Sequence, residues 1–191
     1  MHLEAKLFTV FVKSCFPEIF TNPVKVLDVG SGDINGNNRF LFHPESEYHG
    51  NDMVAARNVT IVGKTSELSF PDGYFDVIVS TECFEHDPEY VESIRNIQRM
   101  LKPDGLFFFT CASTNRREHG TRRTSPQDSY ATLGKQELWQ DYYKNLTIED
   151  IDHSGFTNKA AYYHTTAFDL YFIGTNRPIP QYDALHVIRT L

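Results

Sequence analysis

Gly30-Ser31-Gly32 follows directly on the apolar run Val24-Lys25-Val26-Leu27-Asp28-Val29. The two glycines allow backbone torsions that other residues resist, and they let a ligand come close to the main chain. Asp52, twenty residues after Gly32, closes a second and weaker strand-like segment, Tyr48 to Asp52. Open α/β sheets bind ligands beyond the carboxyl ends of their parallel strands, and an acid at the second strand end accepts hydrogen bonds from ribose hydroxyls. Together the two marks read as a nucleoside site. A dinucleotide fingerprint, G-x-G-x-x-G, would place its third glycine at Asn35, whereas Gly36 comes one residue late. A ligand without a pyrophosphate therefore fits this turn at least as well.

Two further groups of residues carry chemistry. Glu82, Glu85 and His86 follow the strong strand Phe75-Asp76-Val77-Ile78-Val79-Ser80, and His119 lies in a long polar segment. Histidine titrates near neutral pH, which suits proton transfer. Arg116, Arg117, Arg122 and Arg123 surround His119. Guanidinium forks match phosphate, carboxylate or sugar-nucleotide anions, while a solvated charged loop is the plainer reading. Trp139, Tyr142 and Tyr143 follow, either to wall a substrate pocket or to pack on the sheet. Cys15, Cys83 and Cys111 are few and far apart with no CxxC pair, so no metal site and no disulfide framework is expected.

The elements that must position these residues follow from periodicity. Leu3, Leu7, Val10, Phe11 and Ser14 recur at helical spacing, and Pro17 ends that helix near Cys15. Val24–Val29, Tyr48–Asp52, Asn58–Val62, Phe75–Ser80 and Leu106–Thr110 read as strands. A first helix is expected after the glycine turn. Asp87-Pro88 opens another helix with Ile94, Ile97 and Leu101 on one face, and Lys102-Pro103-Asp104-Gly105 stops it. A short helix from Thr147 to His153 follows, with Asp150 where a capping box would want Glu or Gln. Phe156–Tyr163 and Phe168–Gly174 close the sheet as an antiparallel pair, and Pro178 and Pro180 mark a loose tail. The order, read as β-α-β-α-β-β-α-β-α-β-β, implies a Rossmann-like α/β three-layer sandwich, mostly parallel with an antiparallel C-terminal edge. We expect a single domain over residues 1–191, with an N-terminal helix at 1–22, a long loop or cap at 111–146 and a tail at 176–191.

The stretch Val26-Leu27-Asp28-Val29-Gly30-Ser31-Gly32 resembles the first motif of class I S-adenosylmethionine-dependent methyltransferases of the methyltransferase-11 type. Three more stretches match in order and spacing. They are Leu68-Ser69-Phe70-Pro71-Asp72-Gly73-Tyr74-Phe75-Asp76, Ser80-Thr81-Glu82-Cys83-Phe84-Glu85-His86 and Met100-Leu101-Lys102-Pro103-Asp104-Gly105-Leu106. The C-terminal third, with Glu118 to Thr124 and Asp141 to Thr147, is only loosely similar, to bacterial members of glycan and other small-molecule pathways. The resemblance implies that Gly30, Ser31 and Gly32 cradle the methionine part of S-adenosyl-L-methionine, with Asp28 fixing the loop or reaching the amino group. It implies that Asp52 holds the ribose, Met53 packs on adenine, Thr65 and Ser66 pass the adenine edge, and Ser80, Thr81 and Glu82 close over the methionine end. Lys64 stands where the family usually has an acid that contacts adenine; lysine cannot accept that bond, so Thr65, Ser66 or main chain must substitute.

Methyl transfer from a sulfonium needs positioning and desolvation, and an oxygen or amine acceptor must lose a proton. His86 is the first candidate base, with His119 reaching an acceptor when the loop closes. Glu82 and Glu85 are rivals. Arg122, Arg123, Tyr142 and Tyr143 are the candidate substrate residues. The expected activity is methylation, at oxygen, of a small molecule or glycan precursor. The alternatives are a catalytically idle nucleotide-binding or scaffolding module of the same fold and an NAD-dependent oxidoreductase.

The 191 residues carry a formal net charge of −7 and are 40% hydrophobic, which fits a globular chain and disfavours nonspecific nucleic-acid binding. The longest N-terminal apolar stretch, Leu7 to Val12, is too short for a signal or membrane segment, so a cytoplasmic protein is expected. Oligomeric state is not legible in the sequence.

Overall fold

The computed structural model describes residues 2–179 and 189–190. Its centre is one eight-stranded sheet in the order β3-β2-β1-β4-β5-β7-β6-β8. Here β1 is Lys25–Val29, β2 Glu47–Asp52, β3 Ile61–Val62, β4 Phe75–Thr81, β5 Leu101–Ala112, β6 Asn158–His164, β7 Asp169–Thr175 and β8 Arg189–Thr190. β1 runs parallel to β2 and β4, and β4 parallel to β5. β7 lies antiparallel between β5 and β6, which gives the antiparallel edge expected from the sequence.

Alternation along the strands splits the core in two. Leu27, Val29, Ile78, Phe107, Phe109 and Phe172 face helix α3 (Tyr90–Met100) and the segment around Leu146, Ile151 and Phe156. Val26, Val77, Val79, Leu106, Phe108 and Ile173 face helices α1 (Leu3–Cys15) and α2 (Pro17–Thr21). Phe107, Phe108, Phe109 and Phe172 are completely buried, each stabilising by about 1.5–3 kcal/mol relative to exposure.

Local chemistry explains where the elements depart from the periodicity. α1 ends at Cys15 as the following Pro17 demands, but it buries Ala5, Phe8, Val12 and Cys15 rather than the stripe through Leu3, Leu7 and Val10. Leu3 is 64% and Leu7 59% exposed. The segment is apolar on both sides, and the rings decide: Phe8 stacks on Tyr171 at 4.7 Å and meets Phe108 edge-on at 6.5 Å. No α-helix follows the glycine turn; the connection from β1 to β2 holds only a 3-10 turn at Arg39–Leu41. β3 is shorter than expected because Asn58 adopts a left-handed φ of 72°. α3 starts at Tyr90, after a turn in which Asp87 accepts the Glu89 amide at 2.8 Å and the Ser93 hydroxyl at 2.6 Å. β5 begins at Leu101 and absorbs Pro103-Asp104-Gly105 as a register shift against β4. The helix expected from Thr147 shrinks to a 3-10 turn, Ile148–Asp150, yet Thr147 and Asp150 form the reciprocal capping box. The segment after β5 is a cap carrying two one-turn helices, α4 (Tyr130–Leu133) and α5 (Glu137–Gln140). Pro178 lies within the described residues, whereas the expected tail around Pro180 falls largely outside them. Among the described residues no helix is long and apolar enough to cross a membrane.

Candidate active site

β1 has β2 on one side and β4 on the other, so the loops after β1 and β4 diverge and open a crevice at the carboxyl ends of the strands. The loop after β1 is built from the strand tips. Gly30 takes a φ of 71°, and a Cβ there would lie 2.5 Å from the Cys83 sulfur, so only glycine suits both the turn and the close approach of the β4 loop. The amides of Gly30 and Ser31 both donate to the Asn51 carbonyl at 2.9 Å. Asp52 completes the tie. One carboxylate oxygen accepts the Gly32 amide at 2.9 Å and the other accepts the Met53 amide at 2.7 Å. Burial raises its pKa, and the two amides oppose that shift.

Asp28 lies beneath this loop, fully buried, and does not line the crevice. It accepts hydrogen bonds from Asn38 at 2.9 Å, from the Tyr48 hydroxyl and from Asn58 at 3.4 Å. Burial pushes its pKa up to about 6 against those donors. Asp28 thus bonds to Asn38, Tyr48 and Asn58 and does not reach into the crevice. Ser31 and Ser80 are likewise buried behind the cleft, where Ser80 donates to the Val29 carbonyl at 3.0 Å.

The crevice has a volume of about 430 Å³, within the range of roughly 300–1,000 Å³ typical of small-molecule pockets. Of the residues expected on the cofactor side, Gly30, Gly32, Asp52, Met53, Thr65, Thr81 and Glu82 line the crevice. Ser66 does not; its hydroxyl donates to Glu89 at 2.6 Å. Lys64 does line it. The ammonium pairs with Glu89 at 2.7 Å and lies 4.8 Å from the Trp139 ring centroid, while Thr65 donates to the Asn51 side chain at 2.7 Å.

Glu82 sits at a left-handed φ of 55° immediately after β4. Thr110 donates to one oxygen at 2.7 Å, and the His2 ring approaches the other to 3.2 Å. His2 also reaches Asp169 at 3.0 Å, and Arg116 pairs with Asp169 at 3.3 Å. Burial alone would lower the His2 pKa, but Asp169 and Glu82 outweigh it and raise it to about 10.

The other wall holds His86 and His119, their rings 5.0 Å apart and perpendicular. Burial, with the neighbouring His119, lowers the His86 pKa to about 3, so this ring is neutral and a weak proton acceptor at pH 7. Tyr143 packs against both rings from outside the crevice, at 5.5 and 5.2 Å. The expected substrate residues Arg122 and Arg123 are turned away. Arg122 binds Asp141, and Arg123 binds Glu118 and the Asp141 carbonyl; neither they nor Tyr142 and Tyr143 line the crevice. Arg116 and Arg117 take that place.

Sequence reasoning gave no site role to His2, Asn51 or Tyr130. Tyr130 comes from α4, and its ring fills the space above Gly32: a Cβ on Gly32 would lie 2.1 Å from it. Trp139, nearly buried in the cap, lines the crevice and lies against Lys64, while the reading that it packs on the sheet finds no contact in either core cluster of the described residues.

Residues 27–109 match the family model described as a methyltransferase domain. A probable chloroplastic tocopherol O-methyltransferase of Oryza sativa is 31% identical over 98 residues, covering 42% of this chain and 27% of that protein. A sterol 24-C-methyltransferase of Aspergillus fumigatus is 28% identical over 100 residues, covering 44% and 26%. The chain thus aligns with only about a quarter of the length of these relatives. Among solved structures, phosphoethanolamine N-methyltransferase 2 of Haemonchus contortus, in complex with S-adenosyl-L-methionine, superimposes with a TM-score of 0.62 at 18% identity, over 91% of this chain and 53% of that one. The Pyrococcus horikoshii protein PH0226 gives 0.59 at 15% identity over 92% of both chains. The matched span, residues 27–109, is less than half of the chain and holds nearly all of the four motifs, and the two solved structures share the fold.

Proposed function

We propose that this protein transfers a methyl group from S-adenosyl-L-methionine to a small-molecule acceptor. The observation that carries the reading is Asp52. Each of its oxygens accepts one main-chain amide and the residue lines the crevice, so both oxygens keep acceptor capacity for a ribose diol. Gly30 and Gly32 beside it line the crevice, so an amino-acid moiety would lie along their main chain next to the Tyr130 ring. Met53 offers its side chain to an adenine face, and Thr65 and main chain stand at its edge in place of the acid that Lys64 replaces. Bound there, S-adenosyl-L-methionine supplies an electrophilic methyl group on a cationic sulfur.

The chain's own residues then position and dry the reactants. Tyr130 and Trp139 of the cap cover the cofactor side. Glu82, whose carboxylate is held below the usual range by His2, Thr110 and Arg116 in spite of burial, places a fixed negative charge near the cationic end. Of the two histidines, His86 is buried, so His119 is the residue we set against the acceptor's reacting group. Arg117 at the rim favours an acceptor carrying an anionic group. A glycan precursor methylated at oxygen, the class expected from the sequence, satisfies those contacts and is part of the proposal.

Calorimetric titration with S-adenosylhomocysteine should show one site per chain. Labelled S-adenosyl-L-methionine incubated with the protein and a fractionated metabolite extract should transfer label to an anionic fraction. Absence of cofactor binding refutes the reading; binding without transfer to any fraction leaves the idle module as the better description.

A further inference from the structure

Behind the acceptor wall lies a buried carboxylate, Glu85, to which the proposed methyl transfer gives no role. Glu85 is completely buried, and neither carboxylate oxygen has a partner in good hydrogen-bond geometry; burial pushes its pKa well up, opposed only weakly by the nearby amides of Glu85 and Ala112. An unpaired buried carboxylate is costly unless it is protonated or coordinates a cation. The Nδ1 atom of His86, itself only 6% exposed, is also unpartnered.

These orphans converge. One carboxylate oxygen of Glu85 and one ring nitrogen each of His86 and His119 lie within 4.8 Å of one another, and the His119 Nε2 to Glu85 gap is 4.0 Å. Legs of about 2.1 Å from a tetrahedral ion put neighbouring ligand atoms roughly 3.4 Å apart. Closing that gap by about 0.6 Å is within the freedom of the half-buried His119 side chain. His119 is also oriented for the task. Its Nδ1 faces the Arg117 carbonyl at 3.2 Å, which leaves Nε2 to point at Glu85. Metal-binding histidines are commonly fixed in this way, with the second nitrogen on a backbone carbonyl. Tyr143 donates to the same carbonyl at 3.0 Å and packs against both imidazoles. Gly120, at a φ of 64°, lets the chain after His119 pass over His86, where a Cβ would lie 2.6 Å from the imidazole.

We propose that Glu85, His86 and His119 bind one divalent first-row transition-metal ion at the base of the crevice. Two imidazoles and one carboxylate suit zinc, iron or cobalt better than magnesium or calcium, and three protein ligands leave a coordination position open toward the crevice. The site shares His119 with the proposed acceptor side, but its argument does not rest on the methyl-transfer reading.

Chelator-stripped full-length protein should be titrated with zinc chloride by calorimetry and with cobalt(II) chloride by visible absorption, and with S-adenosylhomocysteine in parallel. The expected result is one ion per chain with cobalt bands of low-symmetry coordination. Glu85→Gln and His119→Ala should each weaken zinc binding by more than about 100-fold, beyond the loss from removing an outer partner. Circular dichroism reports whether each variant is folded, and because His119 is on the cap its removal leaves the core intact. His2→Ala, in the separate His2, Glu82 and Asp169 cluster, should change zinc affinity less than threefold. The proposal is overturned by the absence of saturable binding, by binding that survives both Glu85→Gln and His119→Ala, or by binding that is lost in His2→Ala instead. Failure of zinc binding with intact S-adenosylhomocysteine binding removes the metal site alone.

Discussion

Replacing Asp52 by asparagine tests the site with little change of shape. The amide keeps one oxygen, so one of the two main-chain donors, from Gly32 or Met53, remains satisfied, while the negative charge and the second acceptor disappear. A hydrogen bond to a charged group contributes about 1.5–3 kcal/mol, so losing one ribose contact should weaken S-adenosylhomocysteine binding by about 10- to 150-fold. Asp52→Ala removes both contacts and should go further, to the limit of detection. Isothermal titration at constant ionic strength reads the affinity, and a thermal melt of the free protein reads the cost to the loop. Affinity within twofold of the parent protein in Asp52→Asn would refute the placement of the ribose on this carboxylate. A melt lowered without an affinity change would reduce Asp52 to a tie between two strand tips.

Gly30→Ala forces a left-handed φ onto alanine and presses its methyl group on Cys83; a loss of about 2–4 kcal/mol is expected by urea denaturation, partly recovered in a Cys83→Gly background. His2→Ala removes the cation between Glu82 and Asp169, with Arg116 and Glu4 the remaining charges nearby. Since the folded pKa of about 10 exceeds the ordinary value of 6.5, the His2 contribution is complete below about pH 6.5 and fades as pH rises through 10. The melting-temperature gap between His2→Ala and the parent protein should therefore be wide at pH 6 and shrink by pH 10.5; a gap constant with pH contradicts the ion pair. Trp139→Ala withdraws the ring under Lys64 and should speed limited proteolysis within residues 113–146, while amide exchange in β4 and β5 stays unchanged.

The strands of the sheet centre were legible because burial on both faces writes itself as β-branched and aromatic runs, as in Val26 to Val29 and Leu106 to Thr110. The glycine turn and its tie to Asp52 were legible because the chain has few ways to make a tight turn at the end of a buried strand. What failed did so for physical reasons. The buried face of α1 depends on rings contributed by Phe108 and Tyr171, which lie far along the chain. The helix expected after Gly32 is replaced by side-chain bonds among distant residues. Arg122 and Arg123 looked free in one dimension, yet Asp141 and Glu118 claim them in three. Tyr130 carried no local mark at all, since a tyrosine in a polar stretch announces neither a cap nor a crevice.

The link between β1 and β2 has a thermodynamic consequence. Where a helix would ordinarily stiffen the chain, Asn38, Tyr48 and Asn58 gather round the single carboxylate of Asp28. The loss of backbone freedom is then incurred as the protein folds and not when a ligand arrives, so the entropic penalty on complex formation is small and encounter with the crevice is close to rigid docking.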